Sequence, residues 1–518
     1  MRFLPFSIIL LLHLFCSPLL NAQGITRDAN FGEAGVLRKD VDNSLQSFWR
    51  PLIQADGKIV VAHSTVGTND SNSHLSLSRY RKDGSLDPDF GEQGQVRTVL
   101  SPEASYPRTL NLQEDGRILV TGIVTESDGS IRLALLRYQS DGQLDTTFRE
   151  DGIHILPFTS VVADEANDVA VQPDGKILVG GIYGNRMTVM RFLRDGQWDP
   201  DFADDGILQL DENWFQLSAL ALRPDGKLLV SGVRQGTTVK EMSITQILPN
   251  GTIDDSFGSA GLTTFRPLDD DNVGVDVVLE EDGKAVILGY GLRGSDFDYD
   301  IVLLRINADG SLDESFADDG WHILDLEEQS SDFPYRLMRQ EDGKWIALGE
   351  VIFDTSMAEF SMVLLRFDED GNLDEGFGDG GRLLEKFSET TRFTGAALRD
   401  GKLITVGYIG GPLLAETTFM IRYSIESGGP SSTTELGLLD FEVFPNPARD
   451  QLQLNFPPSA RGYQLRISDA QGRLKRELRI PPGQDKLPLA VDFASGCYFF
   501  QLSNAEGSSV QKIWIQAP

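Results

Sequence analysis

Between residues 24 and 426 the chain alternates short apolar runs with turn residues, and the alternation repeats. The stretch 169–210, VAVQPDGKILVGGIYGNRMTVMRFLRDGQWDPDFADDGILQL, shows the pattern in full. Runs of this length with period-two alternation, bounded by Gly, Asp and Asn, predict strands. Two marks punctuate them. The first is Asp-Gly followed by Lys or Arg, at Asp56, Asp115, Asp174, Asp225, Asp282, Asp342 and Asp400, spaced 51 to 60 residues apart. Asp-Gly between apolar runs predicts a hairpin, because a tight turn needs positive φ values that Gly accepts without steric penalty. The second mark ends on Phe31, Phe90, Phe148, Phe202, Phe257, Phe316 and Phe377, with a Gly close behind in each case. Its phase is shifted against the first: the N-terminal copy lacks a preceding hairpin, and the hairpin at Asp400 lacks a following Phe.

Each period reads as four short strands, for example 169–172, 176–181, 188–192 and 207–210. Four-stranded units repeated around an axis are the blades of a β-propeller. The two incomplete ends make one further unit, so the expected fold is all-β, a seven-bladed propeller. Residues 36–39 would close the ring by pairing with residues 418–423. Closure removes the open edges that an unfinished sheet would expose.

With both marks in phase, the region 24–426 resembles the delta-60 repeat β-propellers, a family without assigned chemistry. The fourth unit departs from the pattern, with Asn250 at its turn and Gln246-Ile247 where others carry Arg and an aromatic residue. After a small and polar linker, 427–440, the stretch 441–518 predicts a small β-sandwich. Its residues Pro445, Asn446 and Pro447, the turn ending at Gly472, and Gly496 with Tyr498 are similar to the type A C-terminal sorting domain of the type IX secretion system. That resemblance implies a partner, the secretion machinery, and a destination, the cell surface or the extracellular space.

Residues 1–22 read as a secretory signal peptide: Arg2, an apolar run from Phe3 to Phe15, then a cleavage site between Ala22 and Gln23. The propeller is then expected over 23–426, with no transmembrane segment in the mature chain. The formal charge of −32 sits almost wholly on residues 23–440, with 36 basic against 71 acidic residues. Such a body repels phosphate backbones, so nucleic acid is not an expected partner.

No catalytic constellation or cofactor motif is evident. Histidines 63, 74, 154 and 322 are scattered, and Gly289, Gly291 and Gly294 fall inside a strand instead of opening a helix. The Asp-rich turn 199–206 raises calcium as an alternative to simple turn caps, though no cofactor is expected. The uniform marks predict scaffold, and the variable segments between them predict contact surface. Seven residues before each hairpin Asp stand Trp49, Arg108, Asn167, Ser218, Val275, Tyr335 and Phe393. Trp49, Tyr106, Trp214, Tyr335 and Phe393 are therefore candidate ligand platforms at a channel mouth, with packing between blades as the competing reading. The leading expectation is a secreted binding or adhesion module for an extracellular glycan or protein. The alternatives are a carbohydrate-active enzyme with paired carboxylates at the mouth and a structural surface protein.

Overall fold

The computed structural model describes residues 24–40, 50–66, 72–157, 164–294, 298–317, 319–327, 330–354, 359–385, 391–411 and 414–426, and in the C-terminal region 441–444, 448, 451–457, 462–469, 474–490, 493–503 and 508–515. The expected signal peptide with Ala22 and Gln23, the linker, and Trp49, Pro445, Asn446, Pro447 and Gly472 lie outside them. Every described element is a strand, and the chain divides into two compact units, one over Asn21–Ser427 and one holding Gly428–Pro518.

In the first unit the strands form antiparallel meanders of four, numbered here as blades. Blade 1 is Pro51–Ile53, Ile59–Val66, Ser73–Tyr80 and Gln95–Thr98. Blade 2 is Ala104–Leu112, Ile118–Thr125, Ile131–Tyr138 and Ile153–Ile155. Blade 3 is Glu165–Val171, Ile177–Tyr183, Arg186–Phe192 and Ile207–Gln209. Blade 4 is Trp214–Leu222, Leu228–Gln235, Lys240–Ile247 and Leu262–Phe265. Blade 5 is Asn272–Leu279, Ala285–Leu292, Tyr299–Ile306 and Trp321–Leu324. Blade 6 is Ser331–Arg339, Trp345–Asp354, Glu359–Phe367 and Arg382–Glu385, tied to blade 5 by one parallel pair, Tyr299 with Ser331. Blade 7 is Thr391–Arg399, Lys402–Gly411 and Leu414–Ile425, completed from the N-terminus.

The first strand of each blade packs against the first strand of the next, and blade 7 returns to blade 1. That closes a ring around a central channel. Two N-terminal segments complete it: Val36–Asp40 runs antiparallel to Leu414–Ile425 with Val36 opposite Ile421, and Ile25–Arg27 pairs with the same strand's end, Ile25 opposite Ile425. The second pairing was not legible in the alternation, because three residues are too few to show a period.

Apolar cores lie between neighbouring blades; Leu52, Val60 and Leu75 of blade 1 meet Val120, Ala134 and Leu136 of blade 2. The two repeated marks turn out to be two ends of one polar node. Lys176 of the hairpin in blade 3 pairs at 3.0 Å with Asp199 of the Phe mark, and the same carboxylate accepts a bond from Arg191 Nε at 2.6 Å. The Arg191 guanidinium lies 4.5 Å over the Phe202 ring and donates to the Pro249 carbonyl of the next blade. The Phe ring sits under the turn glycine of that next blade: a Cβ on Gly196 would meet Phe148 at 2.5 Å. Asp87, Asp145, Asp313 and Asp374 repeat the arrangement with Arg79, Arg137, Arg305 and Arg366. Blade 4 substitutes Gln246, which donates to Asp254 at 2.8 Å, while Arg223 reaches over to the Gly283 and Ala308 carbonyls of blade 5. At the closure, N-terminal Asp28 takes Lys402 at 2.9 Å and Arg422 at 3.1 Å, with Arg422 over Phe31.

In the second unit, Glu442–Phe444, Gln451–Asn455 and Lys486–Ala490 form one sheet; Leu474–Ile480, Tyr463–Asp469, Gly496–Ser503 and Ser508–Ile515 form another. Both contribute to one core, through Leu452 and Leu454 from the first and Leu465, Phe500 and Ile513 from the second. Gly496 stands opposite Ile515, and buried Tyr498 donates its hydroxyl to the Ala494 carbonyl at 3.0 Å. Ala448 donates its N–H to Trp514 O at 2.8 Å, which ties the start of the unit to its final strand.

Candidate functional site

Among the described residues, the innermost strands of blades 2 to 7 each slip register by one residue at the same place. The slips fall between Pro107 and Thr109, Ala166 and Asp168, Leu217 and Ala219, Gly274 and Asp276, Pro334 and Arg336, and Phe393 and Gly395. A bulge inserts an unpaired residue and re-aims its side chain. The inserted residues are Arg108, Asn167, Ser218, Val275, Tyr335 and Thr394, and five blades contribute them at the offset read from the sequence. In blade 7 the hairpin is tighter: Arg399 pairs directly with Lys402 around Asp400-Gly401, whereas in blade 2 Leu112 pairs with Ile118. The offset there is one residue shorter, so Thr394 and not Phe393 is the bulged residue.

All six, with Arg50, Arg392, Phe393, Gln216, Glu350 and Tyr408, line one cavity of ≈ 450 Å³ at the channel mouth. Pockets of this size suit small ligands or the terminal units of larger ones. Glu350 is the carboxylate of this lining and is buried. It accepts bonds from Arg392 Nη1 at 2.9 Å, the Tyr335 hydroxyl at 2.7 Å and the Phe393 N–H at 2.8 Å. Burial and the neighbouring Glu350 charge push the Tyr335 phenol well above its ordinary value, so it remains a neutral donor. Arg108 pairs with Glu165 at 2.9 Å.

Below the mouth lie Arg50, Asp168, Asp276 and Arg336. Arg50 Nη1 donates to Asp168 at 3.0 Å and to the Thr109 hydroxyl at 3.3 Å. Asp168 accepts the Leu220 N–H and Asp276 the Leu337 N–H, each bond crossing to the next blade. Burial raises the Asp276 carboxyl in spite of Arg336 3.5 Å away. Arg50 also lines a second cavity of ≈ 540 Å³, which is bordered by the hairpin turns at Asp115 and Asp174. Arg50 therefore borders both cavities.

Of the candidate platforms, Tyr335 and Phe393 line the mouth, Tyr335 half in view and Phe393 buried. Tyr106 is half-buried opposite Ile123, outside that lining. Trp214 is a core residue, packed with Leu178, Val189 and Leu217 between blades 3 and 4. An additional slip between Trp214 and Gln216 turns Trp214 inward and Phe215 outward, where Lys240 lies 4.4 Å over its ring. Alternation alone could not show that slip. Glu350 and Arg392 were missed because neither stands at a repeated position.

The scattered histidines are packing groups where described. His154 and His322, on matching strands, sit edge-on to Phe192 and Phe367 at 5.4 and 5.9 Å. Burial pushes His63 down to about 3, and His63 shares a 2.7 Å bond with Ser78. Among the described residues no group of three or more His, Cys, Asp or Glu side chains is placed to hold a metal ion, and no helix is long and apolar enough to cross a membrane. In the turn 199–206, Asp199 is engaged by Lys176, Arg191 and the Asp201 N–H.

The ring of blades, its N-terminal closure and its channel define a β-propeller. The repeats place it further: residues 54–90, 113–148, 172–202, 223–257 and 280–316 match the family described as Domain of unknown function (DUF5122) beta-propeller. Residues 442–516 match the Secretion system C-terminal sorting domain. The chain carries DUF5122 β-propeller repeats and a type IX sorting domain, and that domain directs it to the cell surface or extracellular space. No curated protein matches it. Among solved structures it is similar to a catalytically inactive variant of virginiamycin B lyase from Staphylococcus aureus, at 11% identity over 76% of this chain and 99% of that one, TM-score 0.42. A PL25 ulvan lyase is similar at 11% identity over 75% and 96%, TM-score 0.44. So is the propeller domain of the Trilobed protease from Pyrococcus furiosus, at 8% identity over 75% and 99%, TM-score 0.40.

Proposed function

We propose that this exported propeller is a binding module whose ligand enters the channel mouth. The observation that supports this reading most is the ring of bulges. One backbone device, repeated in six blades, presents six different side chains to one ≈ 450 Å³ cavity, while the residues of the polar nodes stay nearly constant. A scaffold that keeps its frame and varies its presented groups is built for recognition. Glycoside hydrolysis by an acid pair needs two carboxyl groups with different protonation states. Glu350, the carboxylate of the described lining, is engaged by three donors, which favours binding over that chemistry.

The test is an array of extracellular glycans and matrix proteins probed with the full chain and with Val275→Trp, which fills the mouth from a half-buried position. Capture by the native chain and loss of capture in a variant of unchanged melting temperature is the expected result. A ligand held equally well by both proteins would place recognition elsewhere and defeat the reading.

A further inference from the structure

The mouth is divided by chemistry around the ring. Blades 7, 1 and 2, which are neighbours, contribute Arg392, Arg50 and Arg108. Blades 3 and 4 follow with Asn167, Gln216 and Ser218, all uncharged hydrogen-bonding groups. Blades 5 and 6 then present Val275 and the half-exposed Tyr335 ring. Each of these arginines also pairs with a carboxylate, Arg392 with Glu350, Arg50 with Asp168 and Arg108 with Glu165, which holds three guanidiniums in place on one arc.

Each arc has a defined capacity. A guanidinium carries five N–H donors in a planar fork that matches a carboxylate. Arg50 directs its bonds to Asp168 and Thr109 from Nη1, so Asp168 fixes its orientation while its other edge remains to donate. Ser218 Oγ is buried and has no hydrogen-bond partner within the described chain, although Ser218 lines the cavity. A buried hydroxyl left unsatisfied costs about 1–3 kcal/mol, so a ligand hydroxyl there gains by pairing with it. Asn167 directs its amide N–H to the Leu217 carbonyl at 2.6 Å, which orients its own oxygen as an acceptor.

From this arrangement we infer that the mouth holds a hexuronate unit of an acidic polysaccharide. The carboxylate meets the arginine arc, the ring hydroxyls meet Asn167, Gln216 and Ser218, and the C–H face of the sugar packs on Tyr335 and Val275. A free oxyanion would use the first arc alone, and a neutral sugar the other two. This inference rests on the binding reading above and adds the ligand class.

Isothermal titration of the full chain with oligouronates (glucuronate, galacturonate, mannuronate and guluronate series), with the same oligomers after carboxyl reduction, and with sodium sulfate separates these cases. At least one oligouronate series binds, its carboxyl-reduced form binds about ten- to a hundredfold more weakly, as loss of a charge-assisted hydrogen bond predicts, and sulfate does not compete at equal concentration. Arg108→Gln, whose partner Glu165 is partly exposed and returns to water, weakens the uronate by a similar factor without changing the melting temperature or the affinity for the reduced oligomer. Equal binding of reduced and native oligomers, an Arg108→Gln variant that loses both alike, or no oligouronate binding at all overturns the inference. Capture of a neutral glycan or a protein that Val275→Trp abolishes would overturn it too, while leaving the binding reading intact.

Discussion

Replacement of Asp28 by Asn tests the closure of the ring at its most exposed dependence. The carboxylate accepts Lys402 Nζ at 2.9 Å, Arg422 Nε at 3.1 Å and the Asn30 N–H at 3.1 Å. Burial opposes its ionisation, but these donors outweigh burial and hold it below the usual carboxylate range. Asn keeps the shape and removes the charge. The Lys402 side chain is 44% exposed and returns to water at little loss, whereas that of Arg422 is 10% exposed and stays in place over Phe31. Removing one partner of a buried pair costs about 3–5 kcal/mol. Arg422 retains its bond to the Lys82 carbonyl, so the lower end, about 3 kcal/mol, is expected. Because this node joins the two ends of the ring, the loss falls on closure. Urea unfolding of the full chain gives the total, and hydrogen exchange over 25–40 and 414–425 shows whether those amides open first. Asp400→Asn, at a 78% exposed side chain, is the control. The reasoning is refuted if the two variants differ by less than about 0.5 kcal/mol, or if exchange rises evenly around the ring.

Further outcomes follow from the same nodes and from the sorting domain. The node carboxylates at 28, 87, 145, 199, 254, 313 and 374 are all held low. Their stabilisation is present above the unfolded carboxylate value of about 3.9 and is lost as pH falls through the lower folded values; the urea midpoint should therefore drop steeply below about pH 4. Asp332 shifts the other way, raised by burial to about 7, so the stability it supports is full below its unfolded value and lost as pH rises through about 7. The difference in midpoint between Asp332→Asn and the native protein should therefore move in favour of Asn as pH rises from about 4 to about 8, and a difference that stays constant over that range would contradict this. Gly196 has φ +84 and the Phe148 ring where its Cβ would stand, so Gly196→Ala should lower stability by about 1–3 kcal/mol in the same urea assay. Removal of 441–518 should leave the propeller in the periplasm, measured by cell fractionation; normal surface delivery would count against the sorting role of this segment.

Most of the scaffold was legible because it repeats. Seven Asp-Gly marks and seven Phe marks out of phase gave strands, turns and a ring needing its N-terminus, and the Phe residues do fill the spaces beneath the next blade's turns. The sorting domain was legible from turn residues at fixed positions. What the sequence could not show was that the Lys or Arg of one mark and the Asp of the other meet in a single node, since they stand 23 to 30 residues apart in blades 1 to 6. The channel mouth was half legible. A constant offset from the hairpin found the ring of presented residues in blades 2 to 6, and failed by one at Phe393 because the blade 7 turn is tighter. Trp214 and Phe215 exchanged places through an extra bulge. Periodicity along one chain thus determined the blades and their number of marks. Which side chains share the channel, and which Arg faces which carboxylate, was decided by register slips and by contacts across the ring, where residues far apart in sequence become neighbours.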